Sequence, residues 1–78
     1  GKSIPSPEHQ KLRELLTAAR RKAGLTQAEV AERLGRPQSF VAKYEGGERR
    51  LDVVEFVHVS RALGVEPGKL IRLVEKVA

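Results

Sequence analysis

Most side chains in this sequence that can take part in ionic chemistry are cations, and they are unevenly spread. Residues 11–50 contain ten Lys or Arg and five Asp or Glu, which leaves a net charge of +5. Residues 1–10 and 51–78 are each balanced, so the whole formal excess lies in residues 11–50. Such a concentration of positive charge favours binding to a polyanion on one face. The alternative is a basic surface that serves solubility alone.

Residues that support catalysis or metal binding are sparse. The chain has no Cys, so neither a disulfide nor a thiolate metal site can form. His9 and His58 lie in separate parts of the sequence and cannot assemble a catalytic triad or a metal cluster. The pair Gly46-Gly47 lacks the Lys-Ser/Thr that follows in a phosphate loop. We therefore expect a protein that is not an enzyme, with no catalytic residue, no metal site and no cofactor.

Five short helices are predicted to position the basic residues. Residues 1–7, with two prolines, predict a flexible N-terminal arm, and residues 8–78 are expected to form a single domain. Thr26 and Glu29 have the spacing of a capping box, which predicts a helix start. Apolar residues recur at helical spacing between Gly, Pro and capping residues. The predicted helices span about residues 8–23, 27–34, 37–45, 52–63 and 67–76.

The apolar pattern also assigns core positions in the last two helices. In the fourth helix the predicted inward residues are Val53, Phe56, Val57, Ser60 and Leu63. In the fifth helix they are Leu70, Ile71 and Val74. No segment shows the alternation of a strand, so the predicted fold class is all-α.

The connection between the second and third predicted helices is so short that the two must cross steeply. Ala31 is small enough for close approach, Gly35 allows a sharp turn, and Val41 can pack back between the helices. This spacing predicts a helix-turn-helix. A purely structural helical hairpin could show the same pattern.

Three segments resemble a known family. They are LTQAEVAERLG (Leu25–Gly35), QSFVAKYEGG (Gln38–Gly47) and ALGVEP (Ala62–Pro67). Together they look like the helix-turn-helix of Cro and the lambdoid repressors, the xenobiotic-response-element (XRE) family of bacterial and phage regulators. The resemblance covers about residues 10–75 and implies a lambda repressor-like bundle of five helices that binds specific double-stranded DNA sequences.

In such a domain the third helix enters the major groove, and its outward side chains contact base edges. The predicted base-reading residues are Gln38, Ser39, Lys43 and Phe40. Gln38 can pair with adenine through two hydrogen bonds, and Lys43 can reach guanine or a phosphate. The alternative for Lys43 is a solvated charge. For Phe40 it is packing against the second helix or the turn.

Other residues are expected to contact phosphates. They are Gln27, Arg36, Arg49 and Arg50. Gln27 opens the second helix, where free backbone N–H groups favour an anion, and the resemblance implies a phosphate clamp there. Its alternative is a surface side chain without a role. The sequence departs from the family at Arg36, a position that is usually apolar, and at Pro37, which replaces the common Ser or Thr cap.

The resemblance also implies contacts that do not involve DNA. Arg20 and Glu45 match positions that pair in lambdoid repressors, which implies a structural ion pair between the first and third helices. Val54, Leu73 and Val77 lie off the core stripes and are assigned to a homodimer interface. The alternative is that these three are isolated exposed apolar residues, which are common.

The functional expectation is a small transcriptional regulator, a repressor, that binds a two-fold symmetric DNA operator as a homodimer. An alternative from another class is an antitoxin-type interaction module that holds a toxin and regulates its own operon. No apolar run approaches the roughly 20 residues that span a bilayer, so no membrane partner is expected. The expected location is the cytoplasm, in association with the nucleoid.

Overall fold

Five α-helices and no strand occur among residues 6–77, the part of the chain that the computed structural model describes. The helices are α1 (Pro7–Lys22), α2 (Gln27–Leu34), α3 (Gln38–Gly46), α4 (Val53–Ala62) and α5 (Pro67–Glu75). Each begins and ends within one residue of its predicted position. The predicted all-α fold class with five short helices is confirmed.

The start of α1 differs slightly from the predicted boundary of the arm. The Ser6 hydroxyl accepts a hydrogen bond of 3.1 Å from the backbone N–H of His9, and Pro7 is the first helical residue. Proline suits this position because the first turn has no partner for its N–H groups. Residues 1–5 of the predicted arm lie outside the described residues.

Local capping interactions fix where α2 and α4 begin. Thr26 and Glu29 form both hydrogen bonds of a capping box, at 3.1 and 2.9 Å, and Asp52 and Glu55 do the same at 2.7 and 2.9 Å. Gly35 ends α2 in the left-handed conformation, with a φ of +65°, which lets the chain turn at once towards α3. These local signals set the steep crossing of α2 and α3.

The core lies where all five helices meet, and α3 packs against α1 and α2. Val30, Val41 and Val59 are completely buried, and Tyr44 is 2% exposed. The other buried apolar residues are Leu16, Ala31, Phe40, Phe56, Leu63 and Leu70. Because one side of α3 belongs to this core, the helix has a fixed orientation and only one free face.

Two of the predicted core positions are wrong. Val53 is 77% exposed and Ile71 is 53% exposed. Val59, which the apolar pattern does not assign to the core, is completely buried, and Val57 is half-buried. Val53 directly follows the Asp52 cap, in the first turn of α4, where it lies outside the helix packing. Val59 lies three residues after Phe56 and four before Leu63, so these three side chains share the buried face.

Candidate nucleic-acid interface

The free face of α3 carries the polar residues of this helix. Gln38, Ser39, Ala42 and Lys43 are exposed, while Phe40, Val41 and Tyr44 are buried. Gln38 and Ser39 lie in the first turn, and Lys43 lies one turn after Ser39. Three of the four predicted base-reading side chains therefore share one solvent-facing surface, which we call the α3 face (Gln38, Ser39, Ala42 and Lys43).

Glu45 connects the end of α3 to two other helices. Its carboxylate accepts hydrogen bonds from Arg20 Nε at 2.7 Å and from Arg20 Nη2 at 3.1 Å. Gln27 Nε2 donates a third, at 3.0 Å. The side chains of Arg20 and Glu45 are only 12% and 7% exposed. The structure thus brings together the two residues of the implied ion pair and adds Gln27 to them.

Arg20 also makes a hydrogen bond to the loop between α1 and α2. Its Nη1 donates to the carbonyl oxygen of Leu25 at 2.9 Å, in the loop before α2. The hydrogen bonds to Glu45 raise the pKa of Arg20 above its usual value, so its charge persists at every ordinary pH. One guanidinium therefore joins the C-terminal end of α1, the α1–α2 loop and the C-terminal end of α3.

Phe40 lies in the core, not on the α3 face. It is 7% exposed, and its ring meets the ring of Tyr44 edge to face at 5.5 Å between centroids. The guanidinium groups of Arg36 and Arg49 lie over the Phe40 ring, at 4.5 and 4.8 Å from its centroid. This corresponds to the packing alternative for Phe40, and the burial leaves little of the ring for contact with a thymine methyl group.

The same two arginines share one carboxylate on α4. Glu55 accepts from Arg49 Nη2 at 2.7 Å, from Arg49 Nη1 at 3.0 Å and from Arg36 Nη2 at 3.1 Å. It also accepts from the backbone N–H of Asp52 at 2.9 Å. These interactions, led by the hydrogen bonds from Arg49, lower the pKa of Glu55 to about 2. Two cations and one anion leave this cluster with a net charge of +1.

The loop after α3 holds the remaining predicted phosphate contact. Arg50 is exposed, and its carbonyl oxygen accepts a hydrogen bond of 3.0 Å from Arg49 Nη1. The carbonyl of Lys43 accepts from the backbone N–H groups of Glu48 and Arg49, at 2.9 and 3.3 Å. The loop that carries Arg50 is therefore tied to the last turn of α3.

Sequence reasoning missed the role of Glu55 and the link from Gln27 to Glu45. The capping box of α4 does predict that Glu55 turns back towards Asp52. Nothing in the sequence says that arginines from two different loops converge on the same carboxylate, because that contact exists only once the loops before and after α3 lie beside α4.

Of the residues assigned to a dimer interface, Val54 lies on α4, Leu73 lies on α5 and Val77 follows the end of α5. Val54 is 62% exposed, Val77 is 40% exposed and Leu73 is half-buried. The exposed side chains of Val53 and Ile71 line a shallow apolar groove between α4 and α5. The helical pattern predicts Val53 and Ile71 in the core, so the exposed apolar surface is larger than predicted.

Two other features, a membrane-spanning helix and a metal-binding cluster, concern the same described residues. No helix there is long and apolar enough to cross a membrane. No group of three or more His, Asp or Glu residues in that part of the chain is placed to hold a metal ion.

Comparison with known proteins agrees with this geometry. A family model described as a helix-turn-helix domain matches residues 11–74. An XRE-family like protein from Pseudomonas syringae pv. tomato is 52% identical, with a TM-score of 0.85 over 88% of this chain and 84% of that chain. None of the curated proteins compared with the chain matches it.

Two other solved structures are more distant. The restriction-modification controller protein C.AhdI from Aeromonas hydrophila is 29% identical, with a TM-score of 0.75 over 83% of this chain and 98% of that chain. The clp gene regulator ClgR from C. glutamicum shares the fold, at 20% identity and a TM-score of 0.79 over 91% of this chain and 92% of that chain.

The matched helix-turn-helix model spans most of the chain, and the P. syringae protein is more than half identical over most of its length. The α2–α3 unit that carries the resemblance is also the unit that exposes the α3 face. The chain belongs to the helix-turn-helix domain family, as a DNA-binding transcription regulator of the XRE type.

Proposed function

We propose that this chain is a repressor that binds a two-fold symmetric DNA operator as a homodimer, with α3 in the major groove. The observation that carries the proposal is the division of α3 into two sides. Gln38, Ser39 and Lys43 are exposed on one side, and the other side is fixed by the core and by Glu45. A recognition helix has to be held rigidly while its polar side chains stay free.

The α3 face has the right chemistry for base recognition. Gln38 carries an amide that can donate to and accept from adenine, and the Ser39 hydroxyl can do either at several bases. Lys43 donates only, so it suits guanine or a phosphate. Their positions in the first two turns correspond to the part of a recognition helix that lies nearest the base edges.

Cations around α3 are proposed to contact the DNA backbone. Arg50 is exposed beside the end of α3, and Arg36 lies in the turn before it. Arg36 and Arg49 share Glu55, so the pair keeps one unbalanced positive charge for a phosphate. Gln27 lies at the start of α2, where backbone N–H groups favour an anion. These contacts fix the orientation of the domain and carry no sequence information themselves.

A second copy of the chain is proposed to cover the apolar surface of α4 and α5. One recognition helix reads only a few base pairs, so a symmetric pair is needed for a specific site. Val54, Leu73 and Val77, joined by the exposed Val53 and Ile71, supply aliphatic area for this contact.

The names of C.AhdI and ClgR describe a controller and a gene regulator, which supports a regulatory role for this chain.

Selection of bound sequences from a random DNA library tests the proposal. We expect a two-fold symmetric consensus with half-sites about one helical turn apart. The selected sequence, placed at a promoter, should lower reporter expression when the chain is produced. Recovery of no enriched sequence at moderate salt would contradict the proposal, and an asymmetric consensus would contradict the homodimer.

A further inference from the structure

A small cavity lies between α1, α3 and the loop of residues 47–51. Its volume is about 70 Å³. The cavity wall includes His9, Arg13, Tyr44 and Arg50, and no Asp or Glu of residues 6–77 lines it. Beside the apolar side chains of Leu12, Leu16 and Leu51, the lining therefore presents cations and hydrogen-bond donors, with no carboxylate among them.

Two of these donors are buried. The Tyr44 side chain is 2% exposed, and neither its hydroxyl nor Arg13 Nε has a hydrogen-bond partner among the described residues. Burial raises the pKa of Tyr44, so its hydroxyl remains a protonated donor at neutral pH. Buried donors are rarely left unpaired, because losing their hydration costs free energy. Because both residues line the same cavity, any ligand that pairs with both donors must accept hydrogen bonds.

The Arg13 guanidinium lies against the backbone of the loop at Gly47. Gly47 has a φ of +84°, and a Cβ at this position would overlap Arg13 Nη1. Only glycine therefore allows Arg13 to lie so close to the loop. Arg49 is paired with Glu55, whereas the ion pairs within residues 6–77 include neither Arg13 nor Arg50. Arg13 and Arg50 thus have positive charge available for a ligand.

We propose that this cavity binds a small oxyanion of the phosphate type, with Tyr44 Oη and Arg13 Nε as donors and Arg50 as a second cation. An anion fits the lining better than a neutral ligand, because an oxyanion accepts from several donors and needs no acceptor in return. The anion has two possible sources, free inorganic phosphate or a backbone phosphate of bound DNA. The site itself does not depend on the proposed repressor function.

Titration of the DNA-free chain with sodium phosphate, at ionic strength held constant with sodium chloride, tests the site. Amide chemical shifts of Gly47 and Arg50 should change and saturate. Tyr44→Phe removes a single oxygen and should weaken the binding about tenfold or more, as expected for a hydrogen bond to a charged group. Arg13→Gln should remove saturation altogether. Arg21→Gln is the control, since it deletes one exposed charge of the same helix outside the cavity.

Melting curves of each variant identify any that fail to fold, and Arg13→Gln and Tyr44→Phe test the site separately. Shifts that never saturate in the wild-type chain would overturn the proposal. Equal affinity of Tyr44→Phe and the wild type would also overturn it, as would equal weakening by Arg21→Gln.

A second arm separates the two sources of the anion. If phosphate competes with the selected operator at constant ionic strength, and Tyr44→Phe weakens both, the site holds a DNA phosphate. If operator affinity is the same with and without saturating phosphate, the ligand is the free ion. Absence of any operator binding would overturn the proposed function and leave the phosphate titration as a separate result.

Discussion

Gln27 donates a hydrogen bond of 3.0 Å to Glu45, and this contact joins the first turn of α2 to the last turn of α3. Arg20 occupies the same carboxylate from α1. Three helices therefore meet at one anion, next to the surface proposed to face DNA. A residue assigned to phosphate binding from sequence also has a structural contact, so its substitution should affect both orientation and affinity.

Removing a predicted base contact should weaken binding to the selected operator and relax its sequence preference. Gln38→Ala and Lys43→Ala are each expected to cost about 1–3 kcal/mol of binding free energy, because a good contact to a base edge contributes that much discrimination. Fluorescence anisotropy with the operator and single-base variants gives the numbers. Both side chains are exposed, so melting temperatures should not change. Unchanged affinity and preference in both variants would show that α3 does not read the groove.

Arg20→Ala should destabilise the chain as well as weaken DNA binding. The substitution leaves the Glu45 carboxylate, 7% exposed, with Gln27 as its remaining side-chain donor. Breaking a buried ion pair from one side costs about 3–5 kcal/mol, and the partial exposure here places the expected loss of unfolding free energy near the lower figure. Thermal and urea unfolding measure it, with the exposed Arg21→Ala as control. Loss of operator binding at an unchanged melting temperature would assign Arg20 to DNA contact alone.

Stability should decrease in acid partly through Glu55. The pKa of Glu55 is lowered in the folded chain to about 2, from an ordinary value of 4.5, so its charged form stabilises the fold. That contribution is complete above pH 4.5 and is lost as the pH falls from 4.5 towards 2. Urea unfolding across this range should show a smaller pH slope for Glu55→Gln than for the wild type. Glu75→Gln, an exposed change in α5, is the control, and equal slopes for Glu55→Gln and the wild type would contradict the prediction.

Arg50→Ala should change the salt dependence of operator binding without changing sequence preference. Each phosphate contact releases about one counterion, so the slope of log affinity against log salt should become shallower by roughly one unit. Lys69 is an exposed cation of α5, outside the residues proposed to contact DNA, so Lys69→Ala should leave the slope unchanged. An Arg50→Ala slope equal to that of the wild type would remove Arg50 from the proposed contacts.

A charge in the apolar surface of α4 should dissociate the proposed dimer. Val54 is 62% exposed, so Val54→Glu should leave the monomer folded while it opposes burial against a second copy. Sedimentation equilibrium should show a higher dissociation constant, and operator binding should lose cooperativity between half-sites. If the wild-type chain is monomeric at all concentrations and binds one half-site per DNA, the homodimer is wrong.

Elements with local signals were predictable from sequence, and contacts between distant segments were not. Thr26, Glu29 and Gly35 define α2 through neighbours in the chain, and its bounds agree with the prediction. The segment from Val53 to Val59 has apolar residues on more than one side, so periodicity could not select the buried face. Packing against α2 and α5 selected it and exposed Val53.

In the candidate interface, too, local features were predictable from sequence and long-range contacts were not. Exposure of Gln38, Ser39 and Lys43 followed from the helical repeat once Val41 and Tyr44 were assigned inward. The position of the Arg36 and Arg49 guanidinium groups over Phe40 depends on where Glu55 lies, and that is a property of the packed structure. Residue type, helix position and the family resemblance predict four phosphate contacts, but none of them indicates that two of these residues share a carboxylate.

The separation of the two sides of α3 has a consequence for how relatives of this chain could diverge. No side chain of the α3 face contributes to the buried core, and Glu45 fixes the helix from its far end. Substitutions at Gln38, Ser39 and Lys43 can therefore accumulate with little penalty in folding. One scaffold can supply regulators for many different operators, and operator preference can evolve faster than the fold.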